Sequence, residues 1–366
     1  MLPTSFCFVN FCFFWLLKQV YSNLGSFGVL RADHNSVMDL IEPDLKFLPS
    51  GILTPQNWGL ILAEGPDAGS FLQGQLTNDV LLLPVGQARF AGYCSAKGRL
   101  MASFVVLKLS SEKYLLACHQ DLLQSTLKRL SMFVMRAKLK LTDVTASYEM
   151  RGLLGTTADQ ACPALQSEMP WHAKQEGEGY FIKLHSAKNS GFHISRVLWM
   201  GLKETPSSLE FLNQSLPAAT ENEWQLAEVL SGISRVQTAT TEAFVPQMLN
   251  YESVEGVSFK KGCYPGQEVV ARSQFRGTLK RRAFIVACHF PMQVGQEVFS
   301  ADDPDQACGT VASATENDNA SKTEAPKWWG IVSMQINAAT QVLHLGNPEG
   351  PELHLHALPY SLLEDI

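Results

Sequence analysis

The chain has 366 residues, 46% of them hydrophobic and 17% charged, with a formal net charge of −6. That length calls for two or three packed domains rather than one small core, and that composition excludes a disordered, collagenous or coiled-coil chain for the bulk. The acidic balance excludes a protein that coats DNA.

In chain order, "SFCFVNFCFFWLL" (residues 5–17) has the length of a signal-peptide core and is too short to span a bilayer. No basic residue precedes it and no small-residue cleavage site follows, so translation from Met38 is the preferred reading. Residues 1–47 are then expected as an extension or start-site artefact. "NWGLILAEG" (57–65) reads as a strand, and "PDAGSFLQGQLTNDV" (66–80) as a short helix opened by Pro66 and Asp67, with Asp79 near its end. Residues 88–109 read as two strands joined at Ala96-Lys97-Gly98, and "KYLLACH" (113–119) as another. Leu122, Leu123, Leu127, Leu130, Phe133 and Val134 recur with a helical period over 120–135. Strands return through 138–155 and 179–199.

At "TENEWQLAEVL" Thr220 and Glu223 form a capping box and place Trp224 early in the helix. From residue 285 onward, short apolar runs broken at Pro291, Gly295, Gly309 and Gly346 predict a small β-barrel or sandwich, with a polar loop at 314–326.

Between these lies "KKGCYPGQEVVAR". Lys260, Lys261, Arg272, Arg276, Lys280, Arg281 and Arg282 face one acid, Glu268, so residues 260–282 carry +6 and the remainder −12. This asymmetry points to an anionic ligand at one place. Tyr264-Pro265-Gly266-Gln267 suits a type II turn, and Gly262 offers a second hinge. "QEVVAR" starts a helix in which Glu268 pairs with Arg272 four residues on. Seven of the eight cysteines are scattered without C-x-x-C or zinc spacing, as buried thiols in a reducing compartment are. Cys263 differs: beside a helix N-terminus and two lysines its thiol is expected to be acidified, which favours a nucleophilic, metal-binding or redox role.

"KKGCYPGQEVVAR", with "FLQGQLTNDV", "CSAKGRL", "FVPQMLNYESVEGVSFKKGCY" and "LPYSL", resembles the YgfZ group of the folate-binding GcvT-like superfamily over about residues 48–366. The resemblance implies an α+β fold of two pseudo-symmetric domains around a central channel, 48–150 and 151–284, followed by a β-barrel, 285–366. It implies tetrahydrofolate as ligand, with Trp58 and Trp224 stacking on the pterin. Lys261, Tyr264, Gln267, Glu268, Arg272 and Arg276 are the loop residues expected to contact it, the basic ones through its glutamate carboxylates. Cys263 is the expected reactive thiol, facing a hollow bordered by both indoles.

The superfamily's aminomethyltransferases are similar in this hairpin but carry a carboxylate that "GRLMASFVV" (98–106) lacks, so an accessory role is favoured over turnover. The expected function is support of iron–sulfur cluster assembly or repair, and through it tRNA modification, with iron–sulfur machinery or client enzymes as partners. The effect on tRNA is expected to be indirect, with direct tRNA binding through residues 260–282 as a rival. A folate-dependent one-carbon transferase or demethylase is the alternative function. A monomer in the bacterial cytoplasm is expected, with the mitochondrial matrix as the other possibility.

Overall fold

A computed structural model describes residues 40, 42–45, 47–203, 216–275, 279–320 and 325–363. The first strand, β1 (Gly51–Leu53), precedes β2 (Trp58–Glu64) and helix α1 (Ala68–Gln73). Strands β3 (Ala88–Cys94), β4 (Leu100–Lys108) and β5 (Lys113–His119) follow, then α2 (Leu123–Val134), β6 (Lys140–Asp143) and β7 (Tyr148–Leu154). Helix α3 (Gly155–Ala161) leads to β8 (Ala173–Glu176), β9 (Gly179–Lys183), β10 (Ala187–Asn189), β11 (Phe192–Ile194) and β12 (Arg196–Leu202). Helices α4 (Glu221–Leu230) and α5 (Gln267–Phe275) come next. Strands β13 (Arg281–Cys288), β14 (Glu297–Ser300), β15 (Gly309–Glu316), β16 (Trp328–Gln335), β17 (Leu343–Leu345) and β18 (Glu352–His356) complete the described chain.

These strands build two five-stranded sheets, β3-β4-β5-β2-β6 and β1-β7-β12-β9-β8, and a closed barrel, β13-β16-β15-β14-β17-β18. Strand β4 is buried from Leu100 to Leu107, on both faces, as its unbroken apolar run requires. The capping box forms: Thr220 accepts from the Glu223 backbone N–H and Glu223 reaches back to the Thr220 N–H. No helix among the described residues is long and apolar enough to cross a membrane.

Several expectations need correction. The boundary drawn between 150 and 151 falls inside β7, whose Leu154 pairs with Gly51 of β1, so the two sheets interleave along the sequence. The barrel strand starts at Arg281, before the expected 285. The extension drawn through residue 47 ends earlier, because Leu45 is buried and exchanges two hydrogen bonds with the Asn189 amide. Helix α1 stops at Gln73 rather than running to 80: the chain turns into the sheet edge, where Leu76 bridges Tyr93. Asp79 therefore closes no helix and accepts instead from the Leu82 N–H at 2.9 Å. Gly309 opens β15 instead of a turn, and the polar loop starts only after Glu316.

Candidate functional site

Two groups of the expected residues come together, in different places. The first is the cysteine loop. Pro265 and Gly266 make the expected type II turn, with Gly266 at φ +78° and the Gln267 N–H donating to the Tyr264 carbonyl at 3.2 Å. Gly266 is packed so tightly on the β3–β4 turn that a Cβ there would lie 2.4 Å from the Ser95 carbonyl oxygen and 2.5 Å from Gly98. Gly262 has no such constraint: a Cβ on it would meet nothing within 4 Å. Cys263 is exposed, whereas Cys94, Cys118, Cys162, Cys288 and Cys308 are buried.

The basic residues around it do not form one patch. Lys261 is buried and its ammonium turns inward, donating to the backbone carbonyls of Gln73 and Leu76 and lying 4.9 Å from the centre of the buried Tyr264 ring. Burial pushes that ammonium down to about 8. Arg272 pairs with Glu268 at 2.7 Å, both well exposed, a contact of little energetic weight. Arg281 donates to the Cys308 carbonyl, and Arg282 forms a fully enclosed pair with Glu252. Gln267 opens α5, half-buried. Arg276 lies outside the described residues. Charge gathered in sequence is thus dispersed in space, most of it already engaged by the protein.

The second group surrounds the tryptophans. An inner cavity of about 20 Å³ is lined by Trp58, Phe90, Trp171, Arg196, Glu228 and Arg235 with three aliphatic side chains. An outer cleft of about 90 Å³ shares Glu228 and Arg235 with it and opens past Asn57, His119, Gln225 and Gln237 to the barrel. No residue of the cysteine loop lines either one.

Glu228 organises this interior from the buried face of α4. Its Oε1 accepts from Arg235 Nε at 2.7 Å and its Oε2 approaches Arg196 Nη2 at 3.5 Å. Arg235 lies 4.0 Å over the Trp58 ring and also donates to the Asn57 carbonyl. Arg196 lies 5.0 Å over the Trp224 ring and donates to Ser231 Oγ at 3.0 Å. Trp58 borders the inner cavity, but Trp224 does not; it is wholly buried behind Arg196, flush against β7, where a Cβ on Gly152 would come within 2.8 Å of the indole. Phe90 and Trp171 stack at 5.0 Å, and Trp171 Nε1 is fixed on the Val254 carbonyl.

Two guanidinium groups around one carboxylate leave this interior one positive charge in excess. Burial lowers Arg196 to about 10, and burial together with Arg196 lowers the nearby His185 to about 4, so its imidazole is neutral at pH 7. The indole Nε1 of Trp58 and of Trp224, Arg196 Nε and His185 Nε2 are buried without a hydrogen-bond partner. Unpartnered buried donors are costly in a finished core and ordinary in a binding site. Arg196, Glu228 and Arg235 were not expected from the sequence. The available signal was a single charge embedded in each of three apolar runs, "SRVLWM", "QLAEVL" and "GISRV".

A family model, the GCVT N-terminal domain, matches residues 50–201. The chain is similar to a tRNA-modifying protein YgfZ of Photobacterium profundum, 30% identical over 322 residues that cover 85% of this chain and 92% of that relative. The chain belongs to the YgfZ family. A YgfZ of Photorhabdus laumondii is 28% identical, with 87% and 94% covered. Among solved structures, the glycine cleavage system aminomethyltransferase T of Bartonella henselae superposes with a TM-score of 0.59 at 13% identity, covering 85% of this chain and 88% of that one. That likeness establishes the GcvT-like fold of this YgfZ-family chain: two sheets and a closed barrel.

Proposed function

We propose that this chain binds tetrahydrofolate at the inner cavity and serves as a folate-dependent accessory factor for iron–sulfur cluster assembly or repair, with Cys263 as its working thiol. The observation that carries the reading is a buried carboxylate, Glu228, set between aromatic faces and donors that lack protein partners. The residues suit the group. A pterin presents a flat face, a carbonyl oxygen and an edge of adjacent N–H donors. Trp58 offers a stacking surface, Glu228 an acceptor for the N–H edge, and the Arg196 Nε–H a donor for an oxygen. Folate bound there would supply a reduced pterin and its one-carbon chemistry.

Cys263 acts elsewhere on the surface. A single thiolate does not hold a cluster that needs about four, and among the described residues no three acidic, histidine or cysteine side chains gather as a metal site. The cysteine would therefore share any cluster contact with a partner protein. Support of tRNA modification follows indirectly, through iron–sulfur enzymes that thiolate tRNA. Aminomethyl transfer fits less well, because β4 carries no carboxylate and its Ser103 hydroxyl is engaged by the Val236 N–H.

Calorimetric titration with tetrahydrofolate tests the binding half: saturable binding is expected in the wild type and weakened in Trp58→Ala. Iron–sulfur enzyme activities in cells carrying only Cys263→Ala test the other half. A fall in those activities with unchanged folate affinity is expected; untouched activities refute the thiol's role.

A further inference from the structure

The inner cavity has room for about one water, whereas pockets for ligands of folate's size run to ~300–1,000 Å³. Some lining group must move, and the packing singles out which one. Phe90 and Trp171 are stacked on each other and pinned through the Trp171 Nε1–H. Arg196 is held by Ser231 and the His185 carbonyl. Arg235 alone among the charged lining residues combines a long side chain with an open cleft behind it, because with Glu228 it forms the partition between the inner cavity and the outer cleft.

What Arg235 does there is chemically informative. Its flat guanidinium lies 4.0 Å over the Trp58 ring, donates through Nε to Glu228 Oε1 at 2.7 Å and through Nη1 to the Asn57 carbonyl at 3.1 Å. The 2-amino-4-oxo edge of a pterin contains the same N–C–N unit, with N–H donors for which Glu228 Oε1, the acceptor of Arg235 Nε, is a matching partner. We propose that Arg235 is an internal mimic of the pterin edge: it occupies the stacking face of Trp58 and the acceptor of Glu228, and withdraws into the outer cleft to admit the ligand. This rests on the folate reading above and adds to it a gate and a specificity rule. Heterocycles that carry the amino–amide fork can replace Arg235 at Glu228, and those without it cannot. In the withdrawn position the guanidinium faces Gln225, Gln237 and the neutral-leaning His119, whose pKa burial and Arg235 both lower.

The test is stopped-flow and calorimetric binding of tetrahydrofolate, and of its analogue with hydrogen in place of the 2-amino group, to the full chain. Arg235→Ala and Arg235→Lys are expected to associate at least tenfold faster than the wild type, with equal or tighter affinity. Lysine keeps the charge against Glu228 but has no flat fork, so it decides the matter should the alanine variant fold poorly. Wild type is expected to favour tetrahydrofolate over the analogue by tenfold or more, and Glu228→Gln to erase that preference. Without ligand, acrylamide quenching of tryptophan emission should rise in Arg235→Ala but not when Trp58→Phe is also present. Binding by wild type with tenfold weaker affinity in both Arg235 variants, or association rates within twofold of wild type in both, overturns the gate and leaves the folate reading standing. No binding by any form overturns the folate reading and the gate together.

Discussion

Two glycines bracket Cys263, and replacing them one at a time should separate turn geometry from mere flexibility. At Gly266 an alanine must adopt φ +78°, a left-handed conformation that costs an L-residue about 1–2 kcal/mol. Its Cβ would also lie 2.4 Å from the Ser95 carbonyl oxygen and 2.5 Å from the Gly98 backbone, atoms that no side-chain rotation removes. With overpacking adding about 1–3 kcal/mol, the docked loop is disfavoured by about 3 kcal/mol, roughly a hundredfold in its population at ~1.4 kcal/mol per tenfold. Lys260, Gly262 and Cys263 are exposed, so the turn should undock before the sheets unfold. Tryptic cleavage after Lys260, Lys261 or Arg272 and the rate of Cys263 modification by a disulfide reagent should both rise in Gly266→Ala. Gly262→Ala meets nothing within 4 Å and should leave both unchanged. Equal effects at the two positions, or no effect at Gly266, would refute the claim that the turn's backbone presents the thiol.

Glu252 and Arg282 form an enclosed pair, with Arg282 also donating to the Leu363 carbonyl, so Glu252→Ala should destabilise the chain by about 3–5 kcal/mol, measured by denaturant unfolding. His185 has its folded pKa depressed to about 4. Its contribution is therefore complete above about 6.5 and lost as pH falls toward 4. That loss is on the order of 3 kcal/mol, and stability curves of wild type and His185→Gln should diverge only in that window. Trp224→Ala removes a wholly buried indole and should cost about 3–5 kcal/mol, read as a lowered thermal midpoint. Trp224→Phe should retain most of that stability and, because this indole lies outside the cavity lining, leave folate affinity by calorimetry within twofold of wild type.

The elements that the sequence displayed best are those whose signals are local. Pro265 and Gly266 announce their turn, Thr220 and Glu223 their cap, and the runs of β2 to β5 their strands, because each needs only neighbouring residues. Helix α1 ends before Thr77, Asn78 and Asp79, which are weak helix formers, and the bridge between Leu76 and Tyr93 that draws this segment to the sheet is tertiary. The basic loop misled for a related reason. Arg281 and Arg282 are adjacent, yet on strand β13 successive side chains point to opposite sides, one to the Cys308 carbonyl and one to Glu252. Lys260 is exposed and Lys261 is turned inside. Arg196, Glu228 and Arg235 come from β12, from α4 and from the segment after it, and only packing makes them one site. The likeness to the YgfZ group led to Trp58 and Cys263, but it did not show that these residues face different regions of the surface and interior.

The pairing of β1 with β7 carries a consequence for synthesis. Gly51 finds its partner, Leu154, only after about a hundred further residues have been made, and at ~5–20 residues per second that wait lasts on the order of ten seconds. Within that interval every strand of the first sheet, the last ending at Asp143, is made while β1 still lacks its partner. Halves cut at the middle of this molecule would each inherit an incomplete sheet, so it is made to be assembled from one continuous polypeptide.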